Sequence, residues 1–99
     1  EYFFTFVKDK NPTFNSKYNK RVYNYPICHG KERTSHPTQK PISLIKELIK
    51  KHSNENDIVL DTFSGSGTTA VACKALKRNY ILIEKEKENY ELSLNRINI

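Results

Sequence analysis

Asp61-Thr62-Phe63-Ser64-Gly65-Ser66-Gly67-Thr68-Thr69 decides the fold. The apolar run Ile58-Val59-Leu60 enters it, and the alanine-rich segment Ala70-Val71-Ala72-Cys73-Lys74-Ala75-Leu76 leaves it. That order predicts a buried strand, a tight loop, and a helix packed closely on the strand. Gly65 and Gly67 let the backbone turn sharply and approach a ligand where a Cβ would collide. The helix start then aims unpaired N–H groups into the loop. Tyr80-Ile81-Leu82-Ile83 reads as a second strand, ending in Glu84. Strand, glycine loop, helix, strand and acid form the layout of a nucleoside-binding unit, with Glu84 where a ribose-holding acid stands. Residues 65–70 fit the G-x-G-x-x-G/A spacing. They are not a P-loop, because no Lys follows Gly67. The plain alternative is a glycine turn between a core strand and a core helix.

Working outward, a helix is expected to begin at Pro41, where a missing N–H costs nothing. Ile42, Ile45, Leu48 and Ile49 recur at helical spacing, with Lys46, Glu47, Lys50 and Lys51 on the other face. Residues 53–56 end it, and a strand over 57–61 follows. The helix after the loop runs from Gly67 to about Lys77, with Thr68, Ala72, Ala75 and Leu76 on one face. A strand over 80–83 leads to a last helix from Lys85 or Glu86 to about Arg96, with Tyr90, Leu94 and Ile97 inward. In the front part, residues 2–7 read as a strand, and so do 22–27, with Pro26 ending the run or placing it at an edge. Residues 8–20 and 30–39 read as loops. A shift in composition near Pro41 separates a basic, loop-rich front from a regular α/β back.

The chain has 99 residues, at most one domain, and a formal net charge of +6. That charge favours a polyanionic partner such as nucleic acid, or serves solubility in a Lys- and Asn-rich chain. Cys28 and Cys73, the two cysteines, make neither a disulfide framework nor a zinc pattern, so no metal is expected. No stretch approaches the length of an apolar membrane span, and residues 1–7 lack the basic flank of a signal peptide. The expected location is the cytoplasm.

His36-Pro37-Thr38-Gln39-Lys40-Pro41, taken with the 61–69 stretch, resembles the C-terminal part of amino-methylating DNA methyltransferases of the circularly permuted β type. The first stretch looks like that family's motif X, the second like its motif I, and Ile81-Leu82-Ile83-Glu84 like its motif II. The match covers about residues 22–97. It implies a partial Rossmann-like α/β methyltransferase fold of three helices and parallel strands. It implies S-adenosylmethionine as cofactor and double-stranded DNA as partner, with adenine N6 the target and cytosine N4 the alternative. It also implies a bacterial restriction–modification system.

The resemblance assigns cofactor roles along the chain. Asp61, Ser64 and the loop N–H groups of Gly65, Ser66 and Gly67 would hold the ammonium and carboxylate of the methionine half. Glu84, an acceptor-only carboxylate, would hold the ribose hydroxyls. Phe63 would pack on the cofactor, its alternative being core filling. Ser66 and Thr68 lie in the same loop, where their ordinary role is to cap the helix. Thr38, Gln39 and Lys40 would lie beside the methionine end. Residues 1–35 would be the end of a target-recognition region, with Lys17, Lys20, Arg21, Lys31 and Arg33 on DNA phosphates. Residues 36–99 would be the cofactor-binding segment.

The sequence departs from the family pattern at its reactive motif. An Asp/Asn/Ser-Pro-Pro-aromatic stretch receives the target amine and stacks on the flipped base in such enzymes. Asn11-Pro12-Thr13-Phe14 comes nearest, but Thr13 replaces the second proline and no apolar strand precedes it. No catalytic residue is therefore assigned. The chain is expected to be inactive alone, and to need an N-terminal companion or to self-associate. Two other classes stay open on the loop and charge alone: an inactive DNA-binding remnant, and a nicotinamide-dinucleotide domain.

Overall fold

The structure, a computed structural model, describes residues 5–6, 8, 10–17, 22–25 and 40–98. Five elements follow one another: α1 (Ile42–His52), β1 (Ile58–Asp61), α2 (Thr68–Leu76), β2 (Asn79–Leu82) and α3 (Lys87–Ile97). β1 and β2 pair in parallel, with Val59 opposite Tyr80 and Leu60 opposite Ile81. Three helices and two parallel strands give the α/β arrangement that the loop and its flanks predict. Pro41 is the cap residue before α1, extended at φ −61° and ψ 134°, so the helix starts one residue later than expected. Extended backbone at a cap residue suits proline equally well.

The core lies between α1, α2 and one face of the sheet. Ile49, Ala72 and Cys73 are buried, with Ile45, Val59, Leu76 and Tyr80 packed against them. Ala70 and Ala72 are fully buried, so the small side chains of α2 allow close approach to its neighbours. Ala75, expected on the inner face, is exposed, and Cys73 takes the inward place instead. Burial pushes the Cys73 thiol up, which favours its neutral form. Arg78 joins the C-terminal ends of α1 and α2. Its guanidinium donates to Ser53 Oγ at 3.0 Å, Ser53 O at 2.7 Å and Leu76 O at 2.8 Å.

The opposite sheet face is bare among the described residues. Alternation along parallel strands sends Ile58 and Leu60 of β1, and Ile81 with the following Ile83, to one side. These four are 67, 60, 53 and 53 % exposed. Parallel sheets ordinarily have both faces covered. The last helix shows the same deficit: Tyr90 and Leu94, expected inward, are exposed, and Ser93 is the buried residue of α3.

The front segment is anchored on the C-terminal end of α1. Asn15 donates its backbone N–H to Lys51 O at 2.7 Å and its side-chain amide to Ser53 O at 2.8 Å and Lys50 O at 3.1 Å. These bonds occupy carbonyls that a helix end leaves without partners. Phe14 meets the His52 ring at 5.6 Å between centroids. Lys51, expected on the solvated face, is buried instead. Its ammonium pairs with Glu47 at 2.9 Å, donates to the Tyr23 hydroxyl at 3.0 Å and lies 4.8 Å from the Tyr23 ring centre. Tyr25 donates its hydroxyl to Glu47. Residues 22–25 thus cover α1 and are not in a strand; Thr5 and Phe6 are likewise not in a strand. The remaining residues of the two expected front strands lie outside the described residues.

The Tyr25 bond gives the fold an alkaline limit. Donation to the Glu47 carboxylate raises the Tyr25 pKa above its ordinary 10.0, and bonds to Tyr23 and Glu47 raise that of Lys51 above its ordinary 10.5. For both groups the protonated form is favoured by folding. Their contribution is whole below the unfolded pKa values and is lost as pH rises through the folded ones. Denaturant titrations from pH 8 to 11 should show stability falling above about pH 10. Tyr25→Phe should make that fall shallower while lowering stability at pH 8.

Candidate functional site

The glycine loop is built from its own backbone and fastened from three sides. Gly67 N–H donates to Ser64 O at 3.0 Å, closing a turn over residues 64–67. Gly65 and Gly67 both have positive φ, +55° and +86°, where other residues are strained. Ser64 N–H donates to Ile83 O at 3.1 Å, tying the loop to the end of β2. Glu84, the residue after Ile83, accepts from Gly65 N–H through Oε1 at 2.8 Å and from Glu86 N–H through Oε2 at 2.7 Å. The acid at the end of β2 therefore touches the loop at the end of β1. Asp61 accepts from Phe63 N–H at 3.1 Å through one carboxylate oxygen and from Thr69 Oγ1 at 2.6 Å through the other.

Ser64, Ser66, Gly67 and Thr68 are buried beneath this loop, while Phe63 is 90 % exposed. Phe63 is thus not core filling. Ser66 and Thr68 do not cap α2 either: the cap residue is Gly67, and no side chain caps the helix start. Their oxygens accept from Arg96 instead, a residue the sequence reading left at a helix end. Nothing local marks it, because its partners lie about a helix and a strand away in the chain. Gly67 has a second constraint: a Cβ there would lie 2.7 Å from Ser93 Cβ of α3.

Lys40 is half-buried just before α1, and Lys17 is exposed in the front segment. Thr38, Gln39, Lys20, Arg21, Lys31 and Arg33 lie outside the described residues. The Asn11-to-Phe14 segment is held by Phe14 and Asn15 at the C-terminal end of α1, where Arg78 also joins the end of α2. The glycine loop is at the other end of α2, about 13 Å away along a nine-residue helix. A depression lined by Lys50, Glu55, Ala75, Leu76, Lys77 and Arg78 also lies at the far end, so it is not part of the loop site. Among the described residues no group of three His, Cys, Asp or Glu is gathered to hold a metal, and no helix is long and apolar enough to cross a membrane.

A family model described as DNA methylase, covering the N6 and N4 types, matches residues 1–95. The chain belongs to the N6/N4 DNA methylase family. It is 45 % identical over 82 residues to the type II methyltransferase M2.MboI of Moraxella bovis, covering 81 % of this chain and 30 % of that protein. The crystal structure of an M1.HpyAVI–SAM complex superposes with a TM-score of 0.78 at 44 % identity, over 90 % of this chain and 45 % of that one. The cytosine-N4-specific PvuII DNA methyltransferase superposes with a TM-score of 0.61 at 30 % identity, over 64 % of this chain and 22 % of that one. This methylase chain thus spans under half the length of each of these relatives. Within the methylase fold, the glycine loop and Glu84 are the polar cluster at the strand ends, the usual ligand position in an open parallel sheet.

Proposed function

We propose that this chain is the cofactor-binding segment of a site-specific DNA methyltransferase that uses S-adenosylmethionine and methylates adenine N6, acting in the cytoplasm within a restriction–modification system. The observation that carries the reading is the contact of Glu84 with Gly65, which brings the acid and the glycine loop into one site. The residues fit the cofactor. Glu84, an acceptor-only carboxylate fixed against the loop, suits ribose hydroxyls. Phe63 offers an exposed ring beside the loop for the adenine or the alkyl chain. Asp61, held by Thr69, offers a fixed carboxylate for an ammonium group. Lys40, half-buried just before α1, is assigned to the methionine end by the family resemblance. The M1.HpyAVI structure, a complex with SAM, supports the assignment.

When bound, the cofactor supplies a sulfonium methyl group open to direct displacement by an amine. This chain's part is to hold and orient that donor and keep it against the loop. Receiving the target amine requires a Pro-Pro-aromatic motif that the sequence lacks. The bare face of Ile58, Leu60, Ile81 and Ile83 supports a companion segment that covers it and brings that motif, or self-association in its place.

Incubation with tritiated S-adenosylmethionine and unmethylated DNA tests this reading. The chain alone should transfer no label. With a companion carrying an Asp-Pro-Pro-Tyr-like motif, label should appear as N6-methyladenine. N4-methylcytosine would move the target assignment to the other branch of the family. Transfer by the chain alone would show that other residues catalyse, and would point first to the segment Asn11 to Phe14.

The front segment is assigned to DNA. Lys17, Lys20, Arg21, Lys31 and Arg33 would neutralise phosphates, so affinity should fall steeply with salt. Replacing Lys17, Lys20 and Arg21 by Ala should reduce the slope of log affinity against log salt by about 2–3, with sequence preference unchanged. Salt-independent binding would leave solubility as the role of the basic charge.

A further inference from the structure

We propose that Arg96 is a positioning residue for the cofactor site, acting through the glycine loop; this rests on the reading of that loop as the S-adenosylmethionine site. One guanidinium nitrogen, Nη1, lies 3.0 Å from Ser66 O, 2.9 Å from Ser66 Oγ and 3.0 Å from Thr68 Oγ1. These acceptors flank Gly67 on both sides, and Gly67 holds the positive φ that turns the loop into α2. The loop therefore has a cationic staple behind its sharpest bend. It also lacks the usual one, since no side chain caps α2.

The staple comes from α3, which approaches at the same point. Ser93 is one turn before Arg96 and faces Gly67 so closely that a Cβ on Gly67 would meet it at 2.7 Å. Ser66 and Thr68 are buried, 3 % and 7 % exposed, so water does not readily replace the guanidinium there. Hydrogen bonds to a charged group are the stronger kind and fix direction as well as distance. With Arg96 removed, Ser66 O, Ser66 Oγ and Thr68 Oγ1 lose a shared donor, and the bend relaxes. The turn over residues 64–67, with the Gly65 N–H that holds Glu84, then loses its fixed shape. Arg96 touches no substrate in this account; it acts through Ser66 and Thr68.

The test is calorimetric titration of S-adenosylmethionine into the purified chain, in the assembly in which it purifies, for wild type, Arg96→Ala and Arg96→Lys. Affinity should fall about tenfold or more in Arg96→Ala, at a melting temperature that still leaves the protein folded during titration. Arg96→Lys, with one compact donor group and no planar fork, should fall between the two. Guanidinium chloride at a few millimolar, too dilute to denature, should restore part of the affinity in Arg96→Ala and none in wild type. Rescue of binding without a matching gain in melting temperature separates positioning from simple stabilisation. If Arg96→Ala does not fold, Arg96→Lys carries the test, and unchanged affinity there overturns the proposal. Unchanged affinity in Arg96→Ala, or a loss that follows melting temperature with no rescue, also overturns it. Absence of binding by wild type overturns the cofactor reading and this proposal together.

Discussion

Gly67→Ala should destabilise the fold by about 2–5 kcal/mol, combining the strain of a side chain at positive φ with overpacking. The backbone there is at φ +86°, and the new Cβ would stand 2.7 Å from Ser93 Cβ and 3.2 Å from Ser93 Cα. Neither atom is at the far end of a flexible side chain, so α3 as a whole must move. Denaturant unfolding of the single variant measures the sum. Ser93→Gly in the same background separates the two parts, because it removes the nearer clashing atom and leaves the strain. The double variant should be less destabilised than the sum of the singles, by roughly 1 kcal/mol or more. Strict additivity would show that α3 does not approach the loop as described.

Glu84→Ala should weaken S-adenosylmethionine binding by about 1.5–3 kcal/mol, the range for hydrogen bonds to a charged group, or roughly ten- to a hundredfold. Two losses act together. On the proposed reading the ribose hydroxyls lose their acceptor, and Gly65 and Glu86 lose the carboxylate that holds their N–H groups. Glu84→Gln separates them. Its amide oxygen still accepts from one backbone N–H, while its amide nitrogen faces another donor and cannot accept. Affinity in Glu84→Gln should therefore lie between wild type and Glu84→Ala. Calorimetry on the three proteins checks the order.

The loop and its flanks were legible because their signals are local. An apolar run, two glycines and an alanine-rich segment determine β1, the turn and α2 within twenty residues or so of chain, and β2 with Glu84 follows directly. What escaped were arrangements between distant segments. Lys51 reads as a solvated lysine on a polar helix face, and it is buried because Tyr23 and Tyr25 from the front segment cover that face. Ser66 and Thr68 read as helix caps, since hydroxyls near a helix start usually are. They serve Arg96 instead, thirty residues on for Ser66. Arg96 itself stands only at the expected end of the last helix, where lysine and arginine are common for electrostatic reasons alone. Tyr90 and Leu94 show the converse. Their spacing predicts an inner face, but both are exposed and Ser93 is the buried residue of that helix.

The most direct test of the central claim, that the unit from β1 to Glu84 holds S-adenosylmethionine, is a parallel titration with S-adenosylmethionine and NAD. The account predicts saturable binding of S-adenosylmethionine that weakens in Glu84→Ala, and no binding of NAD. Binding of NAD in preference, or of S-adenosylmethionine with the same affinity in wild type and Glu84→Ala, would contradict it.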